Sequence, residues 1–366
     1  LDELFKVNEN VIVVLSGGAP VEIPWFDKAK AVLLSYLAGE GGGKAVSNIL
    51  CGRFNPTGRL AETWPLKLED NPSYANFPGN SKEVFYKEGI FIGYRHYDSK
   101  NIPLRFPFGY GLSYGKTCFK DLKCDNEIYS YTNEKTDNDD LSPAINLSFC
   151  IKNESDKTLT ETAFIFVGHE SKFVKLPKKE LRNFIKADLK PGEERQVTVS
   201  IPVSELGYYN TELKMRYVET GKYTIYICKN VNDVILTKDI EIRLKEGELN
   251  NYFPTSAADD YDAFFASKKY REVAVFKRPF TMENCFSDVK STFMGRLVYK
   301  QVMKRVAGEG VDKEQIKMIE AMMNEMPFYA LTQAASAQVG EGTIEGMLDI
   351  INLKFFKGLK KIWAKS

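Results

Sequence analysis

Four charged side chains, Glu83, Glu88, Arg95 and Asp98, sit close together in the sequence and could do chemistry. Two carboxyl groups about 5 to 9.5 Å apart are enough to hydrolyse a glycosidic bond, one as nucleophile or base and one as acid. Carboxylates set beside arginine and tyrosine in a connecting segment also form structural ion pairs, and that is the role expected of these four. The two histidines, His96 and His169, each lack a readable nucleophile or orienting partner, so neither reads as a general base. His96 lies in an aromatic run and is expected to pack. His169 ends the strand-like run TAFIFVGHE and is expected to be exposed. The six cysteines form no C-x-x-C pair, so zinc spacing is missing, and neither a metal nor a cofactor is called for. A glycine cluster at Gly39 to Gly43 fails the phosphate-loop pattern, with Ala38 where a glycine is needed and Ala45 where Ser or Thr is needed. No residue is assigned a catalytic role on spacing alone, and substrate-binding residues stay unassigned.

The charged candidates belong to a segment from Tyr86 to Tyr114, YKEGIFIGYRHYDSKNIPLRFPFGYGLSY, dense in aromatic rings and glycines. Its aromatics supply apolar area with polar tips, its glycines let the backbone turn or approach closely, and Pro103 and Pro107 stop helices. It reads as a rigid connector. Ahead of it the pattern is α/β: VIVVLSGG and KAVLLSYLAG are short apolar runs suited to buried parallel strands, and KAVSNILCG is a helix closed by a glycine. Trp64 to Phe85 carries prolines and asparagines without a period and is expected to be loop. Leu1, Leu4 and Phe5 fall at helical spacing, so the chain is read as opening inside a helix, part-way through a longer protein.

Behind the connector the period is two. Ile145, Leu147, Phe149 and Ile151 alternate, as do Val197, Val199 and Ile201, and Tyr223, Ile225 and Ile227, which predicts an antiparallel β-sandwich. The interval Thr132 to Asp140 is polar and acidic and reads as a flexible turn. NNYFPTSAADDYDAFFASKKY is expected to be linker with a short helix, and MGRLVYKQVMKRV and DKEQIKMIEAMMNEM are amphipathic helices. From Thr343 a single last helix is expected, its apolar face Met347, Ile351, Phe355, Leu359 and Ile362, ringed by Lys354, Lys357, Lys360, Lys361 and Lys365. Such a helix can lie on a membrane, but docking on its own protein with the lysines solvated is the favoured reading.

Six strings resemble one family. AGEGGGKAVSNILCGRFNPTGRLAETWP is similar to the glycine-rich turn, helix and "GxxNPxGRLxxTxP" run of glycoside hydrolase family 3, with Ala61 where relatives usually have proline. YKEGIFIGYRHYD and FPFGYGLSY resemble the segment leaving that family's second domain, and IKNESDKTLTETAFIFV, LKPGEERQVTVSIP and ETGKYTIYI resemble its fibronectin type III-like domain. The implied layout is residues 1–66 as the C-terminal part of an α/β sandwich domain, 67–116 as connector, 117–245 as the fibronectin-like sandwich and 246–366 as a helical extension. The fold class expected is thus a partial doubly wound α/β domain followed by an all-β sandwich and helices.

The resemblance implies a retaining hydrolase of terminal β-linked sugars, most often a β-glucosidase. Its aspartate nucleophile sits on an N-terminal (β/α) barrel and its glutamate acid/base in a loop ahead of the segment matching Leu1 to Gly18, so no catalytic residue carries over onto this sequence. The partners it implies are a β-glucoside or other β-linked oligosaccharide and the barrel of the same protein. The alternative is a non-catalytic carbohydrate-binding module whose connector aromatics stack on sugar rings. With Lys+Arg 50 against Asp+Glu 49 and a net charge of +1, no basic field draws in nucleic acid. Scattered cysteines fit reduced thiols and a cytoplasmic address.

Overall fold

The computed structural model describes residues 1–74, 77, 86, 88–133, 142–171, 173–210, 213–245, 277–306, 312–334 and 341–363. Glu83, the linker string from Asn250 and most of the acidic interval at 132–140 lie outside these. The chain divides into two compact units, Leu1–Ala75 with Tyr86–Ser267, and Asn76–Phe85 with Lys268–Ser366.

In the first unit, helix α1 (Asp2–Val7) precedes β1 (Ile12–Leu15) and β2 (Ala31–Leu34), and α2 (Gly42–Leu50) follows. The two strands pair in parallel, Ile12 opposite Ala31 through Leu15 opposite Leu34. Gly52 at φ +68° closes α2 as the sequence predicts. The segment expected to be loop after Trp64 begins instead as a strand: β3 (Trp64–Pro65) pairs with β4 (Leu104–Phe106). Trp64 supplies the reason, since its ring is buried and packs 6.2 Å from Phe106, across the pair. Between them the connector forms α3 (Tyr94–Lys100), which stops at Asn101 in the left-handed region, two residues ahead of Pro103.

The alternating segments fold as expected into a sandwich. A three-stranded sheet, β10 (Glu194–Pro202), β7 (Ala144–Asn153), β5 (Thr117–Cys124), faces a five-stranded sheet ordered β6 (Ile128–Tyr131), β12 (Asp233–Leu244), β11 (Gly221–Asn230), β8 (Leu159–His169), β9 (Glu180–Leu189). Every inward residue of the β7 set, Ile145, Leu147, Phe149 and Ile151, is at most 1% exposed. Central strand β8 is buried on both faces, which explains its continuous apolar run. Ala163, Ile165 and Val167 enter the core between the sheets, while Phe164 and Phe166 point the other way and are covered by Tyr94 and Phe108 of the connector. Gly109, at φ +84°, must be glycine there: a Cβ would lie 3.0 Å from the Phe164 ring and 3.2 Å from the Asn230 backbone.

The second unit is helical: α4 (Phe286–Val289), α5 (Phe293–Val306), α6 (Lys313–Glu325), α7 (Phe328–Ala334), α8 (Glu341–Ile351) and α9 (Phe355–Trp363) surround a core that includes Phe280, Phe286, Met323, Phe328 and Leu348. The single last helix expected from Thr343 is two helices. Leu353 adopts φ +67°, Lys354 N–H donates to the Asp349 carbonyl at 2.7 Å and Leu353 N–H to the Ile350 carbonyl at 2.9 Å, which closes α8 and turns the chain back. The returning α9 crosses α8 at two glycines; a Cβ on Gly358 would lie 2.5 Å from the Gly346 carbonyl oxygen. Gly358→Val is therefore expected to cost about 1–3 kcal/mol by overpacking, read as a lowered Tm of the helical circular dichroism signal. Among the described residues no helix is long and apolar enough to cross a membrane.

Candidate functional site

The charged connector residues are used to fasten α3 along the start of β9. Arg95 Nε donates to Glu180 Oε1 at 2.8 Å, Glu180 also receives Arg182 at 2.7 Å, and Lys179 Nζ pairs with Asp98 Oδ2 at 2.8 Å with both side chains nearly buried. Leu181 N–H donates to the Tyr94 hydroxyl at 2.8 Å, and the Tyr94 ring stacks on Phe108 with centroids 5.0 Å apart. Arg95 and Asp98 thus form the structural ion pairs expected of them, and Glu88 sits half-buried in the turn ahead of α3. The rings that would stack on a sugar in a binding module are largely spent on one another: Phe106 lies 4.9 Å from Tyr110, and Phe108 5.7 Å from Phe164.

His96 packs as expected, 6% exposed with its ring edge-on to Tyr97, and burial together with Lys100 pushes its pKa down. His169 departs from expectation: its side chain is only 9% exposed. The strand carries it onto the face of Tyr223, centroids 4.2 Å apart, where Nδ1 donates to the Lys222 carbonyl at 2.8 Å and Nε2 faces Glu219 Oε2 at 3.3 Å. Glu219 also accepts from Ser171 Oγ. Burial works against the Glu219 charge, but hydrogen bonds from His169, Ser171 and Tyr208 outweigh it and hold the carboxyl below the usual range. A carboxylate depressed in the folded state stabilises above its unfolded pKa, and that contribution disappears as pH falls through the lowered value. Urea midpoints from pH 7 to pH 3 should therefore show Glu219→Gln less stable than the parent at neutral pH, with the gap closing in acid.

Sequence reasoning missed the ion pair that joins the α/β part to the sandwich. Arg59, in the NPTGRL string, reaches Glu161 of β8 at 3.0 Å, and both side chains are 6% exposed. Thr117 Oγ1 donates to the other carboxylate oxygen, Thr162 N–H donates at 2.9 Å, and Lys229 Nζ stands 4.0 Å away. The signal was a lone acid within the apolar β8 run. The two family strings also lock onto each other. Asn55 Oδ1 accepts from Ser113 Oγ at 2.9 Å and Tyr114 N–H at 2.8 Å, while Leu60 N–H donates to the Tyr110 carbonyl and Gly109 N–H to the Leu60 carbonyl.

At the carboxyl ends of β1 and β2 lies a cavity of about 590 Å³, lined by Ser16, Ser35, Leu37, Ala38 and Val46 among others. Its rim is fixed by hydrogen bonds from Ser16 Oγ to the Tyr36 carbonyl at 2.8 Å and from Ser35 Oγ to the Leu15 carbonyl at 3.0 Å. Tyr36 itself holds φ +50°, and the next residue, Leu37, is 80% exposed. Ligands of open α/β sheets bind outside the carboxyl ends of the strands. Among the described residues the one trio with ligand atoms close enough for a metal is Asp121, Cys150 and Glu194; it lies on the surface, and Glu194 is already held by Lys120 at 2.9 Å. All six cysteines are unbridged, and burial pushes the Cys228 thiol up to about 12.

The α/β element, whose strand ends open on this cavity, is braced through the aromatic connector by the β-sandwich. Residues 1–114 match the glycosyl hydrolase family 3 C-terminal domain and residues 161–231 the fibronectin type III-like domain. The chain is 35% identical over 354 residues to thermostable beta-glucosidase B of Acetivibrio thermocellus, covering 96% of this chain and 42% of that protein. It is 34% identical over 243 residues to an exo-alpha-(1->6)-L-arabinopyranosidase of Bifidobacterium breve, covering 66% of this chain and 30% of that one. The crystal structure of the Kluyveromyces marxianus beta-glucosidase in complex with glucose superposes with a TM-score of 0.59 at 32% identity, over 66% of this chain and 28% of that one. The chain belongs to glycoside hydrolase family 3, through its C-terminal domain and the fibronectin-like domain that follows. It spans less than half the length of these relatives.

Proposed function

We propose that this chain is the C-terminal portion of a retaining β-glycosidase acting on terminal β-glucosides, and that it has no catalysis of its own. The observation that carries this is the β1–β2 pair. Parallel strands occur almost only with both faces covered, yet Ile12 and Val14 of β1 remain 52% and 41% exposed, and Leu1, Leu4 and Val7 of α1 are exposed beside them in sequence. This apolar surface is suited to the rest of the sandwich domain and to the barrel that the family resemblance implies. The cavity at the strand ends would then wall one side of the cleft, with the nucleophile aspartate and the acid/base glutamate supplied from outside residues 1–366.

The substrate reading rests on relatives that include beta-glucosidases, one solved with glucose, and the arabinopyranosidase marks the margin of that choice. The proposed domain limits follow the sequence pattern, with breaks at 66/67, 116/117 and 245/246. The test is hydrolysis of an aryl β-glucoside by the purified chain, alone and as one polypeptide behind a family 3 barrel. The expected result is no turnover alone and turnover when joined. Turnover by the chain alone that is lost in Glu88→Gln or Asp98→Asn would overturn the proposal.

A further inference from the structure

The helical unit exposes two apolar stripes of opposite surrounding charge. On α9, Phe355, Phe356 and Leu359 are 42%, 92% and 46% exposed. At 100° per residue they fall on one side of the helix, with Lys360 and then Lys357 beside them, while Gly358 and Ile362 face α8. From Lys354 to Ser366 the chain has no Asp or Glu. Lys361 is turned inward and engaged by Glu345 at 2.8 Å and Asp349 at 3.2 Å, and the more exposed Lys357 stands 4.0 Å from Asp349. The docking expected for this helix is thus only half realised within the unit, because its aromatic side is left outward.

On α6, Met318 and Met322 are 69% and 45% exposed, and Glu314 and Glu325 share that side of the helix. A flexible methionine stripe accepts aromatic rings readily through sulfur–ring contacts, and its flanking carboxylates match the lysines of α9. We propose that the occupant of these stripes is a second copy of this chain, with α9 of each copy laid on α6 of the other. The arrangement is isologous, so one complementary contact is made twice and the assembly closes at two. A bare anionic lipid surface would be served by α9 alone and repelled by the acidic stripe of α6; the match between the two stripes favours the protein partner. This proposal does not depend on the glycosidase reading.

Sedimentation velocity of the 366-residue chain over about 1–100 µM tests it, with far-UV circular dichroism confirming that each variant is folded. The parent is expected to show a monomer–dimer equilibrium. Lys357→Glu with Lys360→Glu, and separately Glu314→Lys with Glu325→Lys, should each weaken the dimer roughly tenfold or more. Combining all four should restore it to within about threefold of the parent, since attraction is rebuilt with reversed sign. A parent that stays monomeric overturns the proposal, as does a fourfold variant no stronger than either double. Co-sedimentation of the parent with phosphatidylserine vesicles, abolished by Phe356→Asp and indifferent to the α6 changes, would also overturn it in favour of a membrane surface.

Discussion

Arg59→Ala is expected to destabilise the chain by about 3–5 kcal/mol, because it leaves the Glu161 carboxylate buried without its principal counter-ion. The remaining groups do not compensate: Thr117 and Thr162 donate hydrogen bonds but carry no charge, and Lys229 is 4.0 Å away and itself bonded to the Thr117 carbonyl at 2.9 Å. Arg59→Lys should recover only part of the loss, since a point charge cannot reproduce the planar fork. Replacing both partners, Arg59→Met with Glu161→Met, should recover part of it, because an apolar pair of similar volume avoids desolvating two charges while the Thr117 hydroxyl and Thr162 N–H lose their acceptor. Urea unfolding of the four proteins reads the comparison. A single Arg59→Ala loss under about 1 kcal/mol, the range of exposed pairs, would show that the carboxylate is hydrated and the burial assigned to it is wrong.

Asn153→Leu is expected to cost about 3–5 kcal/mol, since each buried polar group left without a partner costs about 1–3 kcal/mol. Asn153 is 0% exposed and closes the turn after β7. Its amide donates to the carbonyls of Lys157 at 2.7 Å, Leu189 at 3.1 Å and Lys190 at 3.0 Å, and its oxygen accepts from Ser155 N–H at 2.9 Å and Ser155 Oγ at 2.7 Å. Asn153→Asp keeps the shape but sets a carboxylate against three carbonyl oxygens, so it should be at least as damaging at neutral pH. Thermal and urea denaturation of both variants checks this, and an Asn153→Asp protein as stable as the parent would contradict the hydrogen-bond assignment.

The sandwich was legible because its strands obey a strict period of two: Ile145, Leu147, Phe149 and Ile151 had one face to go to, and all four reached it. The parallel pairing of β1 with β2 and the glycine that closes α2 were legible for the same local reasons, but the burial expected of both strands is not met, since Ile12 and Val14 are 52% and 41% exposed. What stayed hidden depended on partners distant in sequence or on unusual backbone. The β3–β4 pair is set by Trp64 meeting Phe106. The Arg59–Glu161 bond spans more than a hundred residues, and nothing near either residue announces the other. The helix stop at Leu353 uses a bulky residue in the left-handed region where glycine or asparagine is the usual signal. His169 looked exposed because it ends its strand, and only the stacking of Tyr223 and the carboxylate of Glu219 draw it in. At the candidate site the same division holds: the glycine-rich turn was readable, whereas the strained Tyr36 and the outward Leu37 required coordinates.

The most direct test of the central claim is the reading frame ahead of the Leu1 codon, followed upstream for about one barrel domain, roughly 250 residues. The expected result is an uninterrupted frame encoding a (β/α) barrel with an aspartate nucleophile, then a loop glutamate shortly before Leu1. A start codon immediately ahead of Leu1 with no barrel in frame would contradict it, leaving the family assignment intact but removing catalysis from the account.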